Sequence, residues 1–325
     1  LEFRRVLFRS GVIASVALSF TLNGAANAQA PPAVNQLPTS GTVSRGTATI
    51  SQTATAQAAA MTVTQSSQRA VVNWSTFNLG QSASINFVQP NAQAVTLNRV
   101  NDSNPSQIFG RISANGQVFL TNANGVYFSR TSSVDVGAFT ATTHSITDDN
   151  FMSGNYVFDR NGATGKIINE GNITAALGGY VALLAPEVQN AGVVVARAGT
   201  VAMAAGETIT LNIDGVGGLA GITTTPSAIA SLVENKLAVL APDGQIILSA
   251  VALNKLQAGL IKNSGSLEAN SLVNKGGKIV LEADQIAMDR NSKIEAKGPT
   301  GGGTVLVGGD WQGSGTLRQA TKVTM

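Results

Sequence analysis

The chain of 325 residues contains no cysteine and a single histidine, His144. Without cysteine there is no disulfide, no thiolate metal site and no cysteine nucleophile. One histidine rules out a multi-histidine metal centre and leaves no ready-made triad. Charge is also scarce: 12% of residues are charged, against roughly a quarter in ordinary soluble domains. The net charge is +3, but Arg4, Arg5 and Arg9 stand in the first ten residues and the remainder is close to neutral. No Lys/Arg cluster survives there, which excludes the electrostatic footprint of a nucleic-acid binder. Aromatics make up only 5%. Little charge and few aromatics also occur in disordered chains, but a mean hydropathy of +0.15 and regular Val/Ile/Leu runs supply enough apolar surface to fold.

What is abundant is glycine, 35 residues of it, with small and β-branched residues around it. The first thirty residues carry arginines, a moderately apolar core from Gly11 to Leu22, and the small-x-small sites Ala26-Asn27-Ala28 and Ala28-Gln29-Ala30. This pattern predicts a cleaved signal peptide over 1–30, since the apolar core is shorter than the roughly 20 residues that span a bilayer. The start at Leu1 leaves open whether residues 1–10 are native. A Pro/Gln/Ser-rich connector follows over 31–40, and later segments do not resemble membrane helices.

Beyond it the chain repeats. "GGYVALLAP" (178–186), "AGTVAMAAG" (198–206), "DGQIILSA" (243–250), "GGKIVLEAD" (276–284) and "GGTVLVGGD" (302–310) each place a glycine turn before an apolar strand. Between them "IINEGNITA" (167–175), "VQNAGVVVA" (188–196) and "IKNSGSLEA" (261–269) carry Asn-x-Gly before a β run. The period is about twenty residues, the mark of a solenoid. Leucine-rich repeats have a similar period but need Leu-x-x-Leu-x-Leu spacing and a helical segment, and neither is found. The reading is all-β: a right-handed, single-stranded parallel β-helix with an N-terminal cap and short extra-helical hairpins. Val181, Val201, Ile246, Ile279 and Val305 are expected to layer inside it, and Asn169 and Asn190 to form an amide ladder. The one helix expected lies over 228–237, "AIASLVENKL", after Pro226 and Ser227. "NGQVFLTNANGVYF" (115–128) reads as strand, turn, strand, with Asn-Gly supplying the positive φ of tight turns.

Secreted parallel β-helices include polysaccharide lyases and hydrolases, and such sites need clustered carboxylates. Asp148-Asp149 is the only adjacent acidic pair and is read as a solvated turn. Asp135, Asp159, Glu187, Asp214 and Asp243 stand singly. His144 is read as a surface or turn residue, and Trp74 and Trp311 as cap or core residues rather than glycan contacts. "GGDWQG" (308–313) lacks the order of calcium-binding nonapeptides. Phosphate-loop and dinucleotide fingerprints are missing. Neither a catalytic group, a cofactor nor a metal is assigned.

Residues 41 to about 215 resemble the secretion domain of the filamentous haemagglutinin family, the exported partner in two-partner secretion. The resemblance rests on "VVNWSTFNLGQSASINFVQPN" (71–91) and "LNRVNDSNPSQIFGRISANGQVFLTNANGVYFSRTSSVDVGAFTATT" (97–143). It implies recognition by an outer-membrane β-barrel transporter with periplasmic docking domains, and passage through the periplasm to the surface of a Gram-negative cell or the medium. The motif positions implied to carry recognition are Asn73, Trp74, Phe77, Asn78 and Leu79, and then Asn122, Asn124 and Gly125. Ala123 stands where the family commonly has proline, which frees one φ in that turn. The expected division is a secretion domain over 41–225 and the start of a β-helical adhesin shaft over 226–325, truncated at its end. Host-cell or bacterial receptors or glycans are the implied partners of the whole exoprotein. A haemolysin or contact-dependent toxin front is the alternative, and a polysaccharide lyase or hydrolase the remote one.

Overall fold

The computed structural model describes residues 29–253 and 259–325. Nearly all of the predicted signal segment lies outside them. Three sheets run along the molecule, one of ten strands from Thr42–Arg45 to Thr304–Val307, a second of ten from Ala48–Ala54 to Lys293–Glu295, and a third of eight from Ser106–Ile108 to Lys322–Thr324. Each turn of chain visits all three. Lys166–Asn169 lies in the third sheet, Asn172–Ala175 in the second and Tyr180–Leu184 in the first. The next turn stacks Glu187–Asn190, Val193–Ala196 and Thr200–Ala205 on them in parallel register. This is a parallel β-helix.

Short strands with period-two burial explain why the chain folds so. In Val193–Ala196 the second and fourth residues are buried and the first and third half-exposed, the alternation of a strand with one face on a core. Parallel stacking then forces like onto like. Val181 pairs with Val201, Val201 with Ile246, Ile246 with Ile279 and Ile279 with Val305; the first four are buried as expected, whereas Val305, on the last strand of its sheet, keeps the register but is 43% exposed. The amide ladder is present and longer than expected. Asn169 donates to Asn190 at 2.8 Å, Asn190 to Asn235 at 2.9 Å and Asn235 to Asn263 at 2.8 Å. At the corner into the first sheet the carbonyl of the coil below leaves no space for a side chain: a Cβ on Gly199 would lie 1.8 Å from Gly179 O, and one on Gly244 2.0 Å from Gly199 O.

The N-terminal end is closed by two antiparallel strands, Thr42–Arg45 on Arg69–Trp74 and Ala48–Ala54 on Ala59–Gln65. Outside the helix, Val157–Asp159, Thr208–Ile213 and Leu219–Thr224 form a separate antiparallel sheet. With the helix Asp148–Ser153 it covers the outer face of the first sheet and makes a second core. Phe119 meets Phe151, Tyr156 and Phe158 there at centroid distances of 5.9, 4.9 and 6.0 Å. Tyr180–Leu184 and Thr200–Ala205 are accordingly buried on both faces, as continuous apolar strands require.

Two expectations about local structure are corrected. Residues 228–237 form no helix; Leu232–Asn235 is a strand of the third sheet. Val233 fills the layer between Val188 and Ile261, and Asn235 continues the ladder, so stacking overrides local helix preference. Asp148-Asp149 is not a solvated turn but opens the six-residue helix, capped by Thr147 Oγ1, which accepts from Asn150 N.

Candidate functional site

The motif residues lie in the first coils: Asn73 and Trp74 end the strand Arg69–Trp74, Phe77, Asn78 and Leu79 follow it, and Asn122, Asn124 and Gly125 lie in a turn. In Arg69–Trp74 the Trp74 side chain points inward and is 1% exposed. Its indole N–H donates to Asn98 Oδ1 at 3.0 Å, and Asn98 Nδ2 donates to Phe119 O at 3.2 Å. Phe77 meets the indole edge-on at 5.6 Å and 84°. Leu79, wholly buried, makes a single parallel rung with Ile108. Asn78 Oδ1 accepts from Gln107 N at 2.7 Å. Asn73 is half-buried on the outer face, where Arg99 Nη1 reaches its Oδ1 at 3.4 Å. Arg99 also pairs with Asp148 at 2.7 Å and donates to Ile146 O at 2.8 Å, tying this coil to the outer helix.

The second motif is a turn over 122–125 between Gln117–Thr121 and Val126–Phe128, as the strand-turn-strand reading expected. Gly125 N donates to Asn122 O at 3.0 Å and Gly125 takes φ +119°, a conformation that favours glycine. Asn122, buried, donates to Asn104 O and Ser106 Oγ, both at 3.0 Å. Asn124, exposed, donates to Asp102 O at 2.7 Å. Both motifs therefore hold one segment. Asn78 fixes residue 107 from the coil below, while Asn122 and Asn124 fix residues 102–106 from the coil above. Residues 101–105 remain largely exposed between them.

Sequence reading singled out Trp74 and Phe77 but missed Asn98, although it stands in the quoted Leu-Asn-Arg-Val. The signal was alternation: Thr96, Asn98 and Val100 face inward, so an asparagine there needs a buried partner. His144 is no surface residue. It is fully buried, with Nε2 3.0 Å from Gly206 O at the start of the outer hairpin, while Nδ1 has no partner among the described residues. Burial holds its pKa below the usual 6.5. Beside it Arg160 and Glu207 pair at 2.9 Å, and that contact holds the Glu207 carboxyl below its usual range. Trp311 is neither cap nor core, being 77% exposed.

A groove of about 460 Å³ opens under the hairpin tip, between Arg69, Gln93, Gln117 and Tyr156 on one side and Asp214 to Gly217 on the other. Asp214 is its only carboxylate, and Asp214 Oδ1 accepts from Val216 N and Gly218 N at 2.9 and 2.8 Å.

Capped coils, an outer cover and two motifs clamping one exposed loop define a β-helical module. The chain belongs to the TPS secretion domain family, which matches residues 35–296. It is thus the secretion domain of a two-partner secretion exoprotein, a class carried through the outer membrane to the cell surface of Gram-negative bacteria. It is 31% identical over 341 aligned residues to a heme/hemopexin-binding protein of Haemophilus influenzae, covering 98% of this chain and 35% of that protein. A second heme/hemopexin-binding protein, from strain Rd of the same species, is 30% identical over 245 residues, 73% of this chain and 26% of the relative. The chain thus spans about a third of the first relative's length and about a quarter of the second's. Its fold matches the HMW1 secretion domain from Haemophilus influenzae at a TM-score of 0.72 and 27% identity, covering 88% of this chain and 81% of that one.

Proposed function

We propose that this chain is the non-enzymatic leader of a larger adhesin-like exoprotein, read by an outer-membrane transporter with periplasmic docking domains and exported by threading. The observation that carries the reading is the engagement of the motif side chains. Trp74, Phe77 and Leu79 are out of reach of any partner once the coils close, and Asn78 and Asn122 spend their hydrogen bonds on the loop they clamp. The transporter therefore reads Asn73, Trp74, Phe77, Asn78, Leu79, Asn122, Asn124 and Gly125 in the unfolded chain. The same residues then close the first coils outside. Direction comes from stacking: each further coil buries residues such as Val188, Val194 and Val201, worth about 2 kcal/mol each before ordering entropy is set against them. Coils to residue 225, with their outer cover, form the recognised part, and coils from 226 begin a shaft.

Binding of the chain to the isolated periplasmic region of its transporter tests this. Chain freshly diluted from urea should bind and pre-folded chain should not; equal binding of both would contradict the reading. A second reading, an exoprotein that captures heme or hemopexin, is favoured by the identity across 98% of this chain to a protein of that name. Heme and hemopexin titrations of the full-length exoprotein decide between them.

A further inference from the structure

Three Asn-Gly pairs occur among the described residues, Asn115-Gly116, Asn124-Gly125 and Asn161-Gly162. In such a pair the glycine amide nitrogen meets no side chain on its way to the asparagine Cγ, so the pair is prone to cyclise unless the fold holds it. The fold holds two of the three. Asn115 is clamped at both ends, accepting from Gln89 N at 2.7 Å and donating to Gln89 O at 2.8 Å, while Gly116 N donates to Gln89 Oε1 at 3.0 Å. Asn124 Nδ2 donates to Asp102 O, and Gly125 N is committed to Asn122 O. In both, the attacking nitrogen and the attacked carboxamide are engaged.

Asn161-Gly162 is different. It forms a tight turn from Arg160 to Ala163, closed by Ala163 N donating to Arg160 O at 2.9 Å, with φ of 47° at Asn161 and 81° at Gly162. Both residues are exposed. Neither the Asn161 carboxamide nor Gly162 N makes a hydrogen bond among the described residues, and nothing lies within 4 Å of the position a Gly162 Cβ would take. The turn has room to swing.

We propose that Asn161 is a site of spontaneous deamidation in the folded protein, and that Asn115 and Asn124 are protected by the fold. The Gly162 amide nitrogen, losing its proton to solvent, forms a bond to Asn161 Cγ; the Cγ–N bond breaks and ammonia leaves. Water opens the resulting succinimide to aspartate or isoaspartate. The change places a carboxylate beside Arg160, whose pairing with Glu207 at 2.9 Å fastens the outer hairpin. Modification therefore falls where the outer sheet leads back into the coils, after Val157–Asp159, and spares the motif turn.

The test is peptide mapping by mass spectrometry of purified folded chain held at 37 °C and mildly alkaline pH, alongside chain held in urea. Folded protein should convert Asn161 at least about ten times faster than Asn115 or Asn124. In urea the three rates should draw together. Asn161→Gln should abolish the acidic isoform that accumulates on isoelectric focusing. Comparable rates at all three sites in folded protein, or a native Asn161 as stable as the clamped pair, would overturn the proposal.

Discussion

Replacing Asn190 by alanine removes the second rung of the amide ladder and leaves the backbone around it unchanged. In the native protein Asn190 Oδ1 accepts from Asn169 Nδ2 at 2.8 Å and Gly192 N at 3.3 Å, while its Nδ2 donates to Asn235 Oδ1 at 2.9 Å and Ala238 O at 3.2 Å. Truncation leaves Asn235 Oδ1 without this donor and Asn169 Nδ2 with only Gly171 O. Both side chains are wholly buried, so water does not readily replace what is lost. An orphaned buried polar group costs about 1–3 kcal/mol, and a small void adds to it. The expected loss is about 2–4 kcal/mol, a drop in Tm of roughly 4–10 °C for a domain of this size. Thermal and urea unfolding followed by circular dichroism measure it, with the exposed Asn212→Ala as the matched control. An Asn190→Ala protein melting within about 1 °C of the parent, at an unchanged urea slope, would refute the argument that the ladder stabilises the corner.

Gly199→Ala should cost more than about 3 kcal/mol, because its Cβ would stand 1.8 Å from the Gly179 carbonyl oxygen, whereas Gly221→Ala meets nothing within 4 Å and should be silent; limited proteolysis and melting of the two variants separate them. His144 gives a pH dependence. Burial lowers its native pKa below 6.5, so between 6.5 and the native value the unfolded chain binds a proton that the folded chain does not. Stability is full above pH 6.5 and falls as the pH drops through that window, with a slope of at most about 1.4 kcal/mol per unit. His144→Gln should flatten that part of the urea-midpoint profile. A separate loss sets in below the ordinary carboxylate value of 4.5, where Glu295, held down to about 2 by Lys297 and Lys293, begins to differ from its unfolded state.

The coil register was legible because stacking repeats the same residue types at a fixed period. Val181, Val201, Ile246 and Ile279 line up as their glycine anchors indicate, and Asn169 over Asn190 follows from the second anchor. Asn235 escaped notice because the run around it, "AIASLVENKL", carries no glycine after the asparagine and has helix-compatible spacing. Its strand is fixed only by what lies on either side, Asn190 and Asn263. The outer cover was illegible for a related reason. A sheet face is known to be covered only when its partner is known, although the apolar runs Tyr180–Leu184 and Thr200–Ala205 signal burial on both faces. His144 was misread because its burial comes from Gly206, 62 residues away. Asp148 drew its partners, Arg99 and Arg45, from equally remote coils. The motif residues were found by resemblance, but their physical role was not. That Asn78, Asn122 and Asn124 grip one segment, residues 102–107, depends on two coils being stacked around it.

The most direct measurement is release of the full chain into the medium, with and without its co-expressed outer-membrane transporter, for the parent and for Asn73→Ala combined with Asn124→Ala. Both asparagines lie away from the core, so the purified double variant should retain its β-sheet circular dichroism. The account predicts transporter-dependent release of the parent and loss of release for the double variant. Release that is indifferent to the transporter, or a double variant exported as well as the parent, would contradict it.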